Sequence, residues 1–541
     1  MIPQCNPQEL LLERQVRHVV AGMLIAWALV LPHHTRGALV LEIGWNFTGS
    51  TYRVDSRMVP ASPNEMAGDS HFVEFINGRF SVYDKANSRR LWTMADTDFW
   101  ASAGVTLPGG YWPADPRILF DVESQRWFAS MIDVNNQLNA NHFLLAVSAT
   151  ADPTGSWHGF AFTADPVQGN FADFPTLGID TRGVYRSGNL YTSGGKPVAG
   201  VLVAIPKSDL LADLPSIDGR TFFGLLDSAS HGVVLQPAVT LTPTSDGEAV
   251  LAACHMGYDM EYHSTLMQSV VRNAATPGSA TLDPPVTMAV PAFSIPLNPV
   301  QPGGVDTLDD GDSRFSGLVY RIGDALYAVH STQNGPFAAI QWFKIDAIHK
   351  TVIETGTISD PTLDLFYPSI AANPAGTVVI ACNGCSPTSY ISSYAVVGET
   401  INGSIQFGDL TLLKAGTATY DIVGSNLSMN HWGDYSTTSL DPVDSNRFWT
   451  VQVVPVERQV WSTQITELIT SPLRLNISVD SDGNLVASWP TAASGFELYA
   501  ASILSAGDWA PVAGTPELKR DRFVVTMPPA GAQGFLRLQK R

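Results

Sequence analysis

The chain has 541 residues and a formal net charge of −19. An acidic protein surface repels the phosphate groups of nucleic acids and of anionic lipids, so neither is expected as a partner. Only 15% of the residues are charged, whereas Gly (45) and Pro (36) are plentiful. This composition suits many short strands joined by turns better than it suits helices, so we expect a mostly β protein with a large core.

The N-terminus has the order of a secretory signal. Arg14 and Arg17 precede a mainly apolar stretch at 19–31, and Pro32 and a small-residue site around 35–38 follow. The apolar stretch is short for a transmembrane span. We expect residues 1–37 to be removed on export, which leaves no membrane insertion and a protein that is secreted, held at the cell surface or periplasmic. An uncleaved anchor is the alternative, because the cleavage site fits the consensus poorly.

One unit of sequence recurs along most of the chain. A polar residue or Pro opens an alternating strand, a turn follows, and a second strand ends in small or aromatic residues. The clearest copy is 431–449, where 435–440 alternates, Asp441-Pro442 begins the turn and 447–451 runs apolar and aromatic. The copies begin near Asp69, Asp115, Asp173, Gln236, Arg314, Tyr367 and Asp434.

The spacing of these copies predicts a β-propeller. Successive openings lie roughly 45 to 80 residues apart, which leaves room for four strands and their loops. Closing such sheets into a ring removes their exposed edges. We therefore expect an all-β fold with a seven-bladed propeller over 67–471, after a lead-in at 38–66. Six or eight blades, or a pair of β-sandwiches, are the alternatives.

The pattern changes at the C-terminus. Short strands surround the hairpin signal Asp482-Gly483-Asn484, and the segment is of a size that can fold alone. We expect a small β-sandwich of fibronectin-type-III-like character over 472–541. On Ser488-Trp489-Pro490, Trp509 and 535–538, this segment resembles modules found at the ends of exported proteins from Verrucomicrobia-like bacteria.

Several stretches of the repeated region carry a family resemblance: 68–85, Asp115-Pro116 with Arg126-Trp127, 146–157, 173–178, 307–314 and 431–449. On these stretches the chain resembles a family of secreted bacterial β-propeller proteins, related in general form to the sialidase-like propellers. The resemblance implies the fold and export but no particular activity. The sialidase Asp box, S-x-D-x-G-x-x-W, is missing from the propeller sequence, which weighs against sialidase chemistry.

Residues that open the units are expected to meet at one mouth of the central channel, because the first strand of each blade lines that channel. The candidate ligand-binding residues are Asp69, Asp115, Asp173, Asp312, Arg314, Tyr367, His431 and Asp434. Convergent carboxylates can bind a hard cation such as Ca²⁺, can act as acid and base on a glycoside, or can simply accept backbone N–H bonds in their own turns. The catalytic candidates are Asp115, Asp173, Asp434 and His431.

Aromatic residues near the openings could stack against a sugar ring, and they could equally fill the core. They are Trp100, Tyr111, Trp112 and Tyr367. A glycine-rich acidic stretch could also hold Ca²⁺ as a cofactor, through Asp306, Asp309, Asp310 and Asp312. This stretch lacks EF-hand spacing, so a solvated loop is the alternative.

Three cysteines remain after the signal region, which is an odd number for an exported protein. Cys382 and Cys385 could pair in an oxidising compartment, which would leave Cys254 buried and free. A zinc site at Cys382 and Cys385 is the weaker alternative to a disulfide, because no second pair follows at a suitable spacing.

The leading functional hypothesis is an exported, monomeric, non-enzymatic propeller that binds an extracellular glycan or protein through its channel face. The alternative is a glycoside hydrolase or lyase that uses the ring of Asp residues. A cell-surface protein in which the propeller is only a spacer is the third possibility.

Overall fold

Strands dominate the computed structural model, as the composition predicts. The structure describes residues 26–27, 39–241, 250–254, 262–304, 307–422, 430–493, 496–502, 509–519, 522–528 and 533–540. The α-helices among these residues are Asp96–Ser102, Lys207–Leu210 and Ser228–His231. No helix in the described ranges has the length and apolar character needed to cross a bilayer. The chain divides into one compact unit of 38–472 and another of 1–37 with 473–541.

Residues 38–472 form antiparallel groups of four strands, numbered here in chain order. Group 1 is Asn64–Ala67, His71–Ile76, Arg79–Asp84 and Arg90–Met94. Group 2 is Trp112–Asp121, Arg126–Val134, His142–Ser148 and Trp157–Thr163. Group 3 is Phe171–Ile179, Gly183–Tyr191, Pro197–Pro206 and Thr221–Leu226.

The later groups follow the same plan. Group 4 is Val233–Pro237, Val250–Cys254, His263–Arg272 and Val286–Phe293, with Thr281–Leu282 beside the third strand. Group 5 is Tyr320–Ile322, Ala325–Asn334, Phe337–Asp346 and Thr351–Ile358. Group 6 is Asp364–Ala372, Thr377–Ser386, Ser389–Ile401 and Ser404–Phe407, with Thr411–Lys414 beside the third strand. Group 7 is Thr437–Leu440, Arg447–Glu457, Val460–Pro472 and Leu39–Thr51.

The groups close into a ring through their first strands. Neighbouring first strands contact each other from group 1 to group 4 and from group 5 to group 7, and the first strand of group 7 contacts that of group 1. The short strand Val239–Thr240 pairs in parallel with both Phe171–Ile179 and Tyr320–Ile322, which links groups 3 and 5. This arrangement is a β-propeller. The predicted fold class is confirmed, and the blade count of seven stays a prediction.

The N-terminal segment completes the last group. Leu39–Thr51 runs antiparallel to Val460–Pro472, so part of the segment 38–66 that was predicted as a lead-in is the outer strand of group 7. A buried carboxylate reinforces this closure: Glu74 accepts hydrogen bonds from the backbone N–H and the Oγ of Ser50, at 3.2 and 2.7 Å, and from the hydroxyl of Tyr83 at 3.0 Å. Glu74 thereby ties group 1 to the closing strand.

Large side chains fill the space between groups. Trp127, Phe448 and Trp449 are buried, as their second-strand positions predict. Trp100 is also fully buried and donates from Nε1 to the sulfur of Met131 at 3.2 Å. Of the two roles that the sequence leaves open for Trp100, sugar stacking and core packing, the structure shows core packing.

The predicted disulfide is wrong. Cys382 and Cys385 are free and buried, and both lie in the strand Thr377–Ser386. Residues three apart in a strand point to opposite faces of the sheet, so the two thiols belong to different apolar clusters. The side chain of Cys254 lies outside the part of the chain that the structure describes.

The second unit contains two sheets. One consists of Ala26–Trp27, Gln533–Lys540, Phe496–Ala501 and Ala510–Pro511, and the other of Asn476–Val479, Leu485–Pro490, Arg522–Met527 and Glu517–Lys519, with a 3₁₀ turn at Thr491–Ala493. Gly483 has φ 83° in the hairpin turn that the sequence indicates. Apart from Ala26–Trp27, the predicted signal at 1–37 lies outside the described residues. The fibronectin-type-III-like character stays a prediction.

Candidate functional site

Bulges in the first strands change the direction of particular side chains. The pairing register shifts around Asp115, Phe174 and Tyr367, whose φ angles are 59°, 50° and 46°. Each of these residues precedes a proline. Non-glycine residues adopt positive φ rarely and at a cost in strain, and bulges with such strain concentrate near functional sites. In groups 2, 3 and 6 the opening of the first strand is therefore a bulge that changes the direction of one side chain.

A small cavity of about 170 Å³ lies where several of these openings converge. It is lined by Phe174, Asp309, Asp310, Gly311, Asp312, Arg314, Ser316, Ser331, Tyr367 and Asp434. Four of the lining side chains are carboxyls and two are aromatic rings, whereas one is a guanidinium. We call this cavity, with the adjoining Asp115, Asp173 and His431, the acidic mouth.

His431 and Asp434 form an ion pair in the acidic mouth. Nε2 of His431 lies 3.5 Å from Oδ1 of Asp434 and 4.0 Å from Oδ2 of Asp309, and Ser62 donates to Oδ2 of Asp434 at 2.7 Å. Burial alone would lower the pKa of His431, but the surrounding carboxylates outweigh burial and raise that pKa to about 9. Burial would raise the pKa of Asp434, but His431 and Ser62 lower it. At neutral pH the pair is charged on both sides.

Asp115 and Asp173 have the opposite tendency. Burial raises the pKa of Asp115 well above its ordinary value, and the negative charges of Asp434 and Asp173 raise it further. Burial and the charge of Asp434 also raise the pKa of Asp173. Among the described residues, no group donates a hydrogen bond to the carboxyl oxygens of Asp115, although its backbone N–H donates to Asn77 at 2.8 Å. The pKa values of neighbouring carboxyls in the mouth are thus shifted in opposite directions.

The loop before group 5 supplies the remaining carboxyls. Asp312 binds Arg314 with both oxygens, at 2.7 Å to Nε and 2.6 Å to Nη2, and the guanidinium lies 4.4 Å from the centre of the Phe174 ring. Oδ1 of Asp309 accepts the backbone N–H of Gly311 at 3.0 Å. Asp310 is 1% exposed, and neither of its carboxyl oxygens accepts a hydrogen bond from another described residue.

A buried arginine crosses the channel near the mouth. Arg117 donates from Nε to the carbonyl of Pro175 at 2.9 Å and from Nη1 to the carbonyl of Ser316 at 3.2 Å, which places it between groups 2, 3 and 5. Its guanidinium lies 3.6 Å from the centre of the Tyr435 ring, and the Tyr435 hydroxyl donates to the carbonyl of Pro116 at 3.1 Å. Arg117 and Tyr435 therefore fill the channel next to the acidic residues.

Most of the predicted binding residues come together in this place. Asp115, Asp173, Asp312, Arg314, Tyr367, His431 and Asp434 all belong to the acidic mouth. Asp69 does not: it is exposed in the hairpin turn after Ala67, where Lys85 contacts its carbonyl and also pairs with Asp441, which follows the first strand of group 7. Ser62, just before the first strand of group 1, reaches the mouth through Asp434.

The described part of the predicted Ca²⁺ site is not arranged to hold a metal ion. Asp306 lies outside the described residues, and within the described ranges no group of three or more His, Cys, Asp or Glu is arranged to hold a metal ion. Asp312 is instead occupied by Arg314, and Asp309 by a backbone N–H.

The sequence interpretation missed three participants. Phe174 follows the predicted Asp173 and precedes Pro175, so the shared X-Pro opening could have identified it. Ser62 precedes Pro63 in the same way. Arg117 carried no comparable signal, because its role depends on carbonyl groups from two other groups of strands.

Comparisons with known proteins add little to this description. No family model matches the chain, and no curated protein matches its sequence. Solved structures with similar folds include Drosophila Plexin A in complex with Semaphorin 1b, with a TM-score of 0.36 and 7% identity over 79% of this chain and 87% of that chain. The Dos1 propeller has a TM-score of 0.36 and 8% identity over 75% of this chain and 77% of that chain. An endo-arabinase from Bacteroides thetaiotaomicron has a TM-score of 0.28 and 14% identity over 55% of this chain and 94% of that chain. Similarity at this level is too weak to indicate a function.

Proposed function

We propose that this protein is an exported propeller that binds one sugar residue of an extracellular glycan in its acidic mouth, without turning it over. The observation that carries the proposal is the cavity of about 170 Å³ between Phe174 and Tyr367, lined by four carboxyls. Carboxyl oxygens accept hydrogen bonds from hydroxyl groups, and an aromatic ring covers the apolar face of a small ring.

The size of the cavity favours a glycan end over a protein surface. Pockets for drug-sized ligands occupy roughly 300 to 1,000 Å³, and this cavity is smaller. A protein partner would need a broad contact surface, on the order of 800 Å² on each side. The end of a glycan, which is small and polar, therefore fits the enclosed carboxyls better than a protein surface does.

Isothermal titration of the purified protein with neutral and charged monosaccharides, followed by a glycan array, tests the proposal. Binding should weaken by about tenfold or more in Asp434→Asn and in Phe174→Ala, because each removes a contact that the cavity offers. Asp213→Asn is the matched control, because Asp213 is exposed in the loop between the third and fourth strands of group 3. No sugar binding, or binding that both mouth variants retain in full, would contradict the proposal.

A glycoside hydrolase is the second candidate, and one observation favours it. The pKa of Asp115 is raised by burial and that of Asp434 is lowered by His431, which is the division expected of a general acid and an ionised partner. A panel of chromogenic glycosides distinguishes the two functions: hydrolysis by the wild type that both Asp115→Asn and Asp434→Asn abolish would establish the enzyme. Turnover that survives both changes would remove this site from the reaction.

A further inference from the structure

Asp310 is the one carboxyl lining the cavity for which the described residues supply no partner. Asp312 is bound by Arg314, Asp309 by the N–H of Gly311, and Asp434 by Ser62 and His431. Asp310 is 1% exposed and is one of the residues that line the cavity, and neither of its carboxyl oxygens accepts a hydrogen bond from another described residue. A buried carboxyl without a partner is costly, so it marks a position where an additional group would be favourable.

The charge around Asp310 indicates the kind of group that fits there. Burial raises the pKa of Asp310 well above its ordinary value, and the charges of the adjacent Asp309 and of Asp312, two residues further along the chain, raise it further. Asp364 adds a further negative charge on the side of group 6. The surroundings of Asp310 therefore favour a positive charge brought in by a ligand, and they disfavour an anionic ligand group.

We propose that the sugar bound in the acidic mouth carries a free primary amine, and that Asp310 receives its ammonium group. This inference rests on the proposed function, and it narrows the ligand to an amino sugar. The ammonium donates to the oxygens of Asp310, the hydroxyl groups donate to Asp434 and Asp309, and the ring lies beside Tyr367.

The cavity already holds one organic cation in a similar way. The guanidinium of Arg314 is bound by both oxygens of Asp312 and lies 4.4 Å from the centre of the Phe174 ring. Carboxyl and aromatic walls of this kind stabilise a cation through charge-assisted hydrogen bonds and cation–π contact. Asp310 and Tyr367 supply a second carboxyl and a second aromatic ring, which could hold a second cation in the same way. Gly311, between the two acidic positions, keeps the space open, since a Cβ there would lie 3.0 Å from the Tyr367 ring.

Titration of the purified full chain with glucosamine, glucose and N-acetylglucosamine tests the inference, at a slightly acidic pH where the amine is protonated. Glucosamine should bind about tenfold or more tightly than the other two, because only its ammonium satisfies Asp310. In Asp310→Asn this preference should disappear, because the amide offers no negative charge to the ammonium. Asp213→Asn should keep the preference. Thermal unfolding of each variant checks that the fold is intact.

The other outcomes separate the inference from the proposed function. Equal affinity for glucosamine and glucose would overturn the amino sugar and leave sugar binding in place. An absence of binding by all three sugars would overturn both. Binding of Nα-acetyl-lysine amide at the affinity of glucosamine, with no dependence on the sugar ring, would overturn the sugar as the source of the amine. If Ca²⁺ competes with glucosamine for this site, the assignment of Asp310 to an ammonium group would be overturned.

Discussion

His431 and Asp434 are three residues apart, and the 3.5 Å between Nε2 and Oδ1 joins a cation and an anion at the mouth of the propeller channel. The pair lies just before Thr437–Leu440, the first strand of group 7, so the segment that leads into this group also sets the charges of the mouth. The pKa of His431 is raised to about 9 and that of Asp434 is lowered. Because of these shifts, the contribution of the pair to the free energy of unfolding should depend on pH.

The first prediction concerns pH. The pKa of His431 in the folded state, about 9, lies above its ordinary value of 6.5, so its contribution is fully present below pH 6.5 and is lost as pH rises through 9. The contribution of Asp434 has the opposite sign: it is present above the ordinary Asp pKa of 3.8 and is lost as pH falls.

Urea unfolding of His431→Gln and wild type over this pH range measures the effect. The variant should be less stable by on the order of 2 to 3 kcal/mol near pH 6, and the difference should shrink as pH rises towards 9. His349→Gln is the control, since His349 is an exposed surface residue. A difference that grows with pH would contradict this assignment.

The second prediction contrasts two carboxyls of the mouth. Asp434→Asn should destabilise the protein by about 2 kcal/mol at neutral pH, because it leaves the His431 cation without its hydrogen-bonded partner. Asp115→Asn should be neutral or stabilising, because the raised pKa of Asp115 already favours an uncharged side chain. Chemical denaturation measures the free energy of unfolding of both variants. Equal destabilisation would contradict the opposite pKa shifts of Asp434 and Asp115.

The third prediction concerns the closure of the ring. Ser50→Ala removes a buried hydrogen bond of 2.7 Å to Glu74 and should lower the free energy of unfolding by about 1 to 2 kcal/mol. The matched control is Ser70→Ala, at an exposed turn of group 1, which should change stability by a few tenths of a kcal/mol. If the two variants unfold at the same urea concentration, Glu74 does not hold the closing strand.

The fourth prediction concerns the arginine that fills the channel. Arg117→Lys keeps the charge but cannot reach the carbonyls of both Pro175 and Ser316, so it should destabilise the protein by about 2 to 4 kcal/mol. Thermal and urea unfolding measure this. Wild-type stability in the lysine variant would show that charge alone, without the guanidinium fork, fills the position.

The fifth prediction concerns the two thiols of group 6. Cys382 and Cys385 should both remain reduced after purification without reductant, because they face opposite sides of one strand. Alkylation followed by mass spectrometry should label neither residue in the folded protein and both in denaturant. A peptide with the two cysteines joined would contradict the structure.

The unit openings were visible in the sequence because they are local. Asp115-Pro116, Tyr367-Pro368 and the stretch around Asp434 each combine a turn residue with an alternating strand, and the structure brings all three to the acidic mouth. The same local pattern predicts an opening at Asp69, but the strand begins at Asn64, so Asp69 falls in the hairpin turn that follows it. Local patterns fix the period of the repeat better than its starting position.

The remaining features depend on distant partners. The strand Leu39–Thr51 pairs with Val460–Pro472 at the other end of the propeller, and no local pattern specifies that partner. The position of Arg117 depends on carbonyls of groups 3 and 5. The isolation of Asp310 depends on which neighbouring carboxyls find donors, which only the folded arrangement determines.

A crystal structure of the protein soaked with glucosamine would show directly where the sugar binds. One sugar ring should appear in the acidic mouth beside Phe174 and Tyr367, with hydroxyl groups bonded to Asp434 and Asp309 and the amine bonded to Asp310. Density for the sugar at another place, with the mouth free of it at a concentration that saturates binding in solution, would contradict the account.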